Sequence, residues 1–389
     1  MQSRIKFTMK KIFVSLAAFL LLSSAAHAQI QQAPTVAAKS WLLMDLASGQ
    51  VITSHDAHAR VEPASLTKLM TAYLVFSAVR DNKLALDQNI SISERAWKVD
   101  PSSSKMFVDP KTPVTINDLL LGLIVQSGND AAVALAEAVS GSEEAFVALM
   151  NREAARMGMT ATKFGNSHGL PSKDNYSTAY DLSLLSTFLI ADHPVFYKMY
   201  STKEYTYNKI KQQNRNRLLW VDPTVDGLKT GHTDAAGYCL IASAKRPAGS
   251  GERRLLTVVL GASSDQMRAQ ESLKLLNWGF QHFETVKLYS RNQVIATPEV
   301  WKGSKGSVNV GFKRDLYVTV PKGMATRMKP VLEHRDPLLA PIRDGGKVAT
   351  LKMMVDGRSL VDLPVVALES VNNASLFGRA WDSIQLWMK

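Results

Sequence analysis

Apolar positions repeat with two different periods along the first 290 residues of the chain. Alternating runs predict strands, and runs with apolar residues three and four apart predict helices. In chain order these are strands at 41–45 and 51–54, helices at 66–77, 117–125, 130–139 and 142–157, strands at 238–244 and 255–260, and a helix at 265–283. The first two strands flank Ala47-Ser48-Gly49, which predicts a hairpin. This order predicts one α+β domain whose sheet joins distant parts of the chain.

The pattern changes after about residue 290. Short β runs separated by Gly and Pro follow at 308–310, 316–320, 330–332, 348–355 and 360–366. They predict a second, all-β domain. This domain contains no cluster of titratable side chains, so we assign it no chemistry. We place the first domain at 29–287 and the β-rich domain at 288–371.

The last residues, 372–389, predict an amphipathic helix. At 100° per residue one face collects apolar side chains and the other collects polar ones. The apolar face holds Leu376, Phe377, Ala380, Trp381, Ile384, Trp387 and Met388, and the polar face holds Arg379, Asp382, Ser383, Gln385 and Lys389. Tryptophans on the apolar face favour a helix lying in a membrane interface. The alternative is a terminal helix docked on its own domain.

The first 28 residues read as a signal peptide. Lys10 and Lys11 precede an apolar run over 12–22, and Ala26-His27-Ala28 has the small-x-small pattern of a cleavage site. The run is too short to span a bilayer. Export is therefore the prediction.

Composition and charge narrow the possible partners. The 389 residues are 46% apolar and 21% charged, which excludes a mainly disordered or polytopic membrane protein. Residues 1–28 carry four basic and no acidic residues, so their removal lowers the net charge from +12 to +8. For an exported basic protein the anionic partners are membrane headgroups and cell-wall polymers, and not nucleic acid. Cys239 is the only cysteine, which excludes an internal disulfide.

Three short motifs stand in order: Ser65-x-x-Lys68, Ser127-Gly128-Asn129 and Lys229-Thr230-Gly231. Ser-x-x-Lys also occurs at Ser3/Lys6 and Ser102/Lys105, so the pattern alone identifies nothing. Only Ser65 follows a Pro-containing turn and opens a helix, where the spacing places Lys68 on the same face as the serine hydroxyl. Singly each motif is an ordinary cap or turn, but together they indicate a catalytic site.

The chemistry of these residue types fits nucleophilic catalysis. A serine alcohol needs a neighbouring base, and Lys68 can be that base only when neutral. Burial, the positive end of its own helix and a second cation, Lys229, would lower its pKa. Ser127 can relay a proton between Lys229 and a leaving amine, and the Asn129 amide can hold a substrate backbone.

The third motif is expected to begin a strand at the cleft edge. Gly231 there would let a substrate approach the backbone closely. The N–H groups of Ser65 and His232 would form an oxyanion hole.

The three motifs resemble those of the penicillin-binding proteins and serine β-lactamases. The closer resemblance is to the low-molecular-mass D-alanyl-D-alanine carboxypeptidases of the bacterial periplasm, and it covers almost the whole chain. It is carried by the stretches EPASLTKLMT at 62–71, NSHGL at 166–170 and VDGLKTGHT at 225–233. The resemblance implies a β-lactamase/DD-peptidase-like α+β fold and no metal or organic cofactor.

The resemblance also implies a reaction. Ser65 would be acylated by the D-Ala-D-Ala bond of a peptidoglycan stem, releasing terminal D-alanine, and water would clear the acyl-enzyme. Penicillin and other β-lactams would trap the acyl stage. No Glu-x-x-Leu-Asn lies between Asn129 and Lys229, which argues against efficient penicillin hydrolysis. Two alternatives stay open, a DD-endopeptidase that cleaves crosslinks and a non-catalytic scaffold that binds stems.

A carboxypeptidase must also recognise a free C-terminal carboxylate, which needs a hydroxyl and a guanidinium near the cleft. Thr230 fits the first requirement. Arg215 and Arg268 resemble family positions for the second, and the sequence does not decide between them. His168 is expected to order a loop near the cleft. His55 and His58 have metal-like spacing without a third ligand nearby, so we predict no metal site.

Overall fold

The computed structural model describes residues 32–249 and 251–388. The predicted signal peptide, residues 1–28, lies outside the described residues. The strands are β1 (Ser40–Asp45), β2 (Val51–His55), β3 (Asn89–Ile90), β4 (Val114–Thr115), β5 (Glu204–Tyr207), β6 (Ile210–Gln213), β7 (Val225–Thr233), β8 (Gly237–Ala248), β9 (Gly251–Ala262), β10 (Phe283–Tyr289), β11 (Val294–Ala296), β12 (Val300–Trp301), β13 (Val310–Gly311), β14 (Leu316–Pro321), β15 (Lys329–His334), β16 (Leu338–Leu339), β17 (Lys347–Val355) and β18 (Arg358–Ala367).

The helices are α1 (Lys68–Arg80), α2 (Glu94–Trp97), α3 (Ile116–Leu121), α4 (Asn129–Ser140), α5 (Glu143–Arg156), α6 (Ala179–Asp192), α7 (Pro194–Tyr197), α8 (Leu218–Val221), α9 (Asp265–His282) and α10 (Leu376–Met388). The predicted helices correspond to α1, α3, α4, α5, α9 and α10, whereas apolar periodicity did not predict α2, α6, α7 and α8. Serine or threonine side chains accept hydrogen bonds from the first turns of several helices, as Ser142 does for α5 and Ser264 for α9.

The first domain is built on an antiparallel sheet of order β2-β1-β9-β8-β7. The predicted N-terminal hairpin forms, and β1 pairs with β9 more than 200 residues later, with Leu42 opposite Val258. Alternate side chains face opposite layers, as the period of a strand requires. Leu42 packs in the core shared with the helical block, and Leu43 packs in the core beneath α9. The α+β prediction is confirmed, with β7 at the edge of the sheet.

The second domain is all-β, as predicted. Its main sheet has the order β11-β13-β18-β17-β15, and the pairs β10-β14 and β12-β16 complete it. It has its own apolar core around Val310, Leu351 and Val365. The predicted boundary at 287/288 falls within β10, and the exact domain limits stay a prediction.

Asp45 lies at the junction of the two domains. Its fully buried carboxylate accepts hydrogen bonds from Arg253 Nε at 2.7 Å and from the Thr285 hydroxyl at 2.6 Å. Arg253 also donates to the carbonyl oxygens of Gly279 and Phe283. Thr285 belongs to β10, so one buried ion pair ties the first sheet, the end of α9 and the second domain together.

The C-terminal helix α10 turns its apolar side chains to solvent. The exposed fractions of Phe377, Trp381 and Trp387 are 90%, 61% and 88%. On the opposite face the Asp382 carboxylate accepts a hydrogen bond from the backbone N–H of Lys302 in the β-rich domain. Within the described residues, no helix has the length and apolar character needed to cross a bilayer.

Candidate active site

Ser65 lies on a 3-10 turn, Ala64–Thr67, that leads directly into α1. Lys68 is the first residue of α1, and its Nζ lies 3.1 Å from Ser65 Oγ. The three-residue spacing thus places the two side chains together, as predicted. Ser65 is half-buried and lines a cleft of about 1290 Å³.

The Lys68 amine is almost completely buried, with an exposed fraction of 1%. Its Nζ donates to Asn129 Oδ1 at 2.6 Å and to the His168 carbonyl oxygen at 2.6 Å. The pKa of Lys68 is lowered to about 7, chiefly by burial and also by the positive charge of Arg215, while the charge of Asp130 opposes both effects. Arg215 therefore supplies the second cation that the sequence argument assigned to Lys229.

Ser127 and Lys229 meet on the other side of the cleft. The π-helical turn Gly122–Gln126 ends at Ser127, which has a left-handed φ of 65°. Lys229 donates from Nζ to Ser127 Oγ at 2.8 Å. Burial lowers the Lys229 pKa well below its ordinary value, and the charges of Lys68, Arg215 and Arg268 lower it further. The structure thus brings the three motifs to one cleft.

The Lys229-Thr230-Gly231 segment lies in the middle of β7, and the prediction that it begins the strand is wrong. The strand starts four residues earlier at Val225, which pairs with Ala244. The prediction that Gly231 lets a substrate approach closely stays a prediction. A Cβ there would lie 3.2 Å from the Pro63 carbonyl oxygen, so this glycine also lets β7 approach the turn that carries Ser65.

The two candidate arginines differ in their partners. The Arg268 guanidinium is engaged by the carbonyl oxygen of Gly231 at 3.0 Å, by that of Cys239 at 3.4 Å and by the Asp265 carboxylate, and its exposed fraction is 5%. Arg215 lines the same cleft and is exposed. Among the described residues, no hydrogen bond or ion pair occupies its guanidinium. Arg215 is thus the guanidinium available to a ligand.

Two buried carboxylates that the motifs do not include hold the cleft in shape. Asp130 accepts hydrogen bonds from the backbone N–H groups of Met106, Phe107 and Val108 at 2.8–3.2 Å. Glu143 accepts from the N–H and hydroxyl of Ser167 at 3.0 and 2.7 Å, which fixes the loop that presents the His168 carbonyl to Lys68. Sequence reasoning missed both roles, although Asp130 directly follows the Ser127-Gly128-Asn129 motif.

A helical block packed on an antiparallel sheet, with a serine and a lysine at the start of a buried helix, defines the class of serine peptidases that act through an acyl-enzyme. Comparison with known families agrees. Residues 27–264 match the peptidase S11 family, D-alanyl-D-alanine carboxypeptidase, and residues 283–373 match the C-terminal domain of penicillin-binding protein 5. The chain belongs to the D-alanyl-D-alanine carboxypeptidase family and is a serine D-Ala-D-Ala carboxypeptidase.

Individual relatives are similar over nearly their whole length. D-alanyl-D-alanine carboxypeptidase DacC of Escherichia coli (strain K12) is 43% identical over 95% of this chain and 94% of its own. The crystal structure of penicillin binding protein 5 from Haemophilus influenzae is 40% identical, covering 88% of this chain and 99% of that one, with a TM-score of 0.82. Penicillin-binding protein D2 of Listeria monocytogenes, solved in a cefotaxime-bound form, covers 64% of this chain with a TM-score of 0.59. Penicillin-binding proteins act on peptidoglycan and are acylated by β-lactams.

Proposed function

We propose that Ser65 is the nucleophile of this carboxypeptidase and that Lys68 is its general base. The observation that carries the proposal is the surroundings of the Lys68 amine. A neutral amine has two hydrogens and one lone pair. Its two short hydrogen bonds, to Asn129 Oδ1 and the His168 carbonyl, use both hydrogens. The lone pair is then left for the Ser65 hydroxyl 3.1 Å away.

The proposed reaction proceeds by two acyl transfers. Ser65 Oγ attacks the carbonyl carbon of the penultimate D-alanine while Lys68 Nζ takes the hydroxyl proton. The C–N bond then breaks, and the leaving amine receives the proton of the Ser127 hydroxyl, which Lys229 replaces from Nζ. Terminal D-alanine departs. A water molecule then attacks the ester and its proton passes to Lys229, while Lys68 returns the proton it took to Ser65 Oγ.

The remaining cleft residues are proposed to bind the stem. The Asn129 side-chain amide and the edge of β7 at Gly231 hold the peptide backbone. The backbone N–H groups of Ser65 and His232 stabilise the oxyanion. The Thr230 hydroxyl and Arg215 bind the terminal carboxylate, since Arg268 is already engaged by the protein.

Labelling with a fluorescent penicillin and measurement of D-alanine release from a pentapeptide test this proposal. Ser65→Ala is expected to abolish both, because the covalent route depends on that hydroxyl. Ser102→Ala is the matched control, because Ser102 also stands in a Ser-x-x-Lys pattern and lines the cleft but makes its hydrogen bond to Asp100. An adduct on Ser65→Ala contradicts the proposal. A protein that binds stems with neither adduct nor D-alanine release is a scaffold.

We further propose that the enzyme works in the periplasm, attached to the inner membrane surface by α10. The attachment is supported by the orientation of the two faces of the helix. Its polar face is docked through Asp382, while Phe377, Trp381 and Trp387 face solvent. An exposed aromatic face of this kind is stabilised by insertion into an interface.

Membrane fractionation tests the attachment. Trp381→Glu combined with Trp387→Glu is expected to release the protein, because apolar burial holds the helix in place. Ser383→Glu with Gln385→Glu, on the polar face, is the control and should stay bound. Retention of the double tryptophan variant on membranes contradicts the proposal, as does a wholly soluble unaltered protein.

A further inference from the structure

Arg217 and Asp265 form an ion pair between two elements that line the cleft. Arg217 immediately precedes α8, and Asp265 begins α9. The Arg217 Nε contacts the Asp265 carboxylate, and both side chains line the same cleft as Ser65. The pair therefore bridges the cleft wall from one element to the other. None of the three motifs includes either residue.

The Asp265 end of this bridge is fixed. The same carboxylate also accepts a hydrogen bond from Arg268, whose buried guanidinium is held by the carbonyl oxygens of Gly231 and Cys239. The side chain of Ser264 caps α9 by accepting from the Met267 N–H at 3.1 Å. Asp265 is thus held in place by the protein, whereas the side chain of Arg217 is 64% exposed and extends across to contact it.

The Arg217–Asp265 ion pair lies near Arg215, the residue proposed to bind the terminal carboxylate of the substrate. Arg217 is two residues from Arg215, and Arg215, Arg217 and Asp265 line the same cleft. A leaving D-alanine ends at its carboxylate. In a crosslinked substrate the leaving residue carries a further peptide, which must find room in the same cleft that Arg217 and Asp265 line.

We propose that the Arg217–Asp265 bridge is a specificity determinant that favours a single C-terminal residue as leaving group over a crosslinked peptide. The inference rests on the proposed function, because it uses Arg215 as the carboxylate site. Exposed ion pairs are weak, so the bridge disfavours longer leaving groups without forbidding them. Arg217 is a positioning residue here, since it shapes the cleft and touches no reacting atom.

Parallel assays on two substrates test the inference with the full protein. One substrate is a stem pentapeptide, and the other is a crosslinked tetrapeptide dimer that has no terminal D-Ala-D-Ala. Arg217→Ala is expected to raise kcat/KM for the dimer about threefold to fivefold, mainly through KM, with less than about a twofold change for the pentapeptide. Arg217→Lys keeps the charge pair and should restore the original preference.

Lys245→Ala is the control variant. It removes an exposed ion pair with Glu252 on the β8-β9 hairpin and should change neither substrate. An unchanged ratio of the two activities in Arg217→Ala overturns the inference, as does an equal rise for both substrates. Failure of the proposed function shows differently, as absence of D-alanine release and of a penicillin adduct in the unaltered protein.

Discussion

The Lys68 amine is held in surroundings that favour its neutral form. Its pKa is lowered to about 7, first by burial and then by Arg215. Because the base is active only when deprotonated, the rate constant for penicillin acylation should rise with pH, reach half its maximum near pH 7 and level off above it. Below the midpoint it should fall about tenfold per pH unit. Stopped-flow acylation between pH 5 and pH 9 measures this profile.

Two variants sharpen the test. Arg215→Gln removes the neighbouring positive charge, so the midpoint should move to higher pH. Lys68→Arg keeps a cation that cannot give up its proton and should be inactive at every pH. An active Lys68→Arg enzyme, or a profile that is flat from pH 5 to pH 8, refutes the role of Lys68 as general base.

The loop that presents the His168 carbonyl packs directly on the turn that carries Ser65. Gly169 has a φ of 92°, and a Cβ there would lie 1.8 Å from the Ala64 carbonyl oxygen. Gly169→Ala must therefore displace the loop or the turn. We expect it to lower the free energy of unfolding by roughly 2–4 kcal/mol and to slow penicillin acylation. Chemical denaturation and acylation kinetics measure the two effects.

Gly158→Ala is the matched control for this substitution. Gly158 also has a positive φ, 78°, but a Cβ there would meet no atom within 4 Å. Only backbone strain remains, so we expect a loss of about 1 kcal/mol and unchanged acylation. Equal effects of the two substitutions on acylation contradict the proposed contact between loop and turn.

Periodicity predicted most of these elements, because apolar faces must pack where the fold buries them. It did not predict that the α1 region begins as a 3-10 turn, or that the predicted 117–125 helix ends in a π-helical turn before Ser127. Those irregularities depend on tertiary packing of the cleft. The short hairpin β5-β6 was missed because strands of four residues are too short to show a clear alternation.

The three motifs could be recognised in the sequence because the residues of each are contiguous, and the structure places all three in one cleft. The roles of Asp130, Glu143 and Asp265 could not be predicted from the sequence. Each acts through backbone or guanidinium partners that are brought near only by the fold. The choice between Arg215 and Arg268 likewise depended on partners that no spacing reveals.

A buried charge pair, Asp45 with Arg253, lies at the junction of the two domains. Asp45→Asn would leave the Arg253 guanidinium buried without its counter-ion. Breaking such a pair typically costs about 3–5 kcal/mol, and we expect a loss of that size in the free energy of unfolding. Urea denaturation followed by tryptophan fluorescence gives the value.

Asp315→Asn provides the comparison. Asp315 pairs with Lys287 in the second domain, but both side chains are 41% exposed. Its loss should therefore destabilise the protein far less than the loss of Asp45. If Asp45→Asn is as mild as Asp315→Asn, the junction is held by apolar packing and not by the ion pair.

The hydrogen bond from the Lys302 backbone to Asp382 means that α10 is not a free tether. A membrane anchor on a flexible linker would let the catalytic domain vary its distance from the membrane. A helix docked on its own domain fixes the position of that domain relative to the helix. The Asp45 pair extends the same constraint to the cleft. If α10 inserts into a bilayer as proposed, the cleft is held at a fixed distance from the membrane, and the enzyme reaches stems in that layer of the wall but not stems farther out.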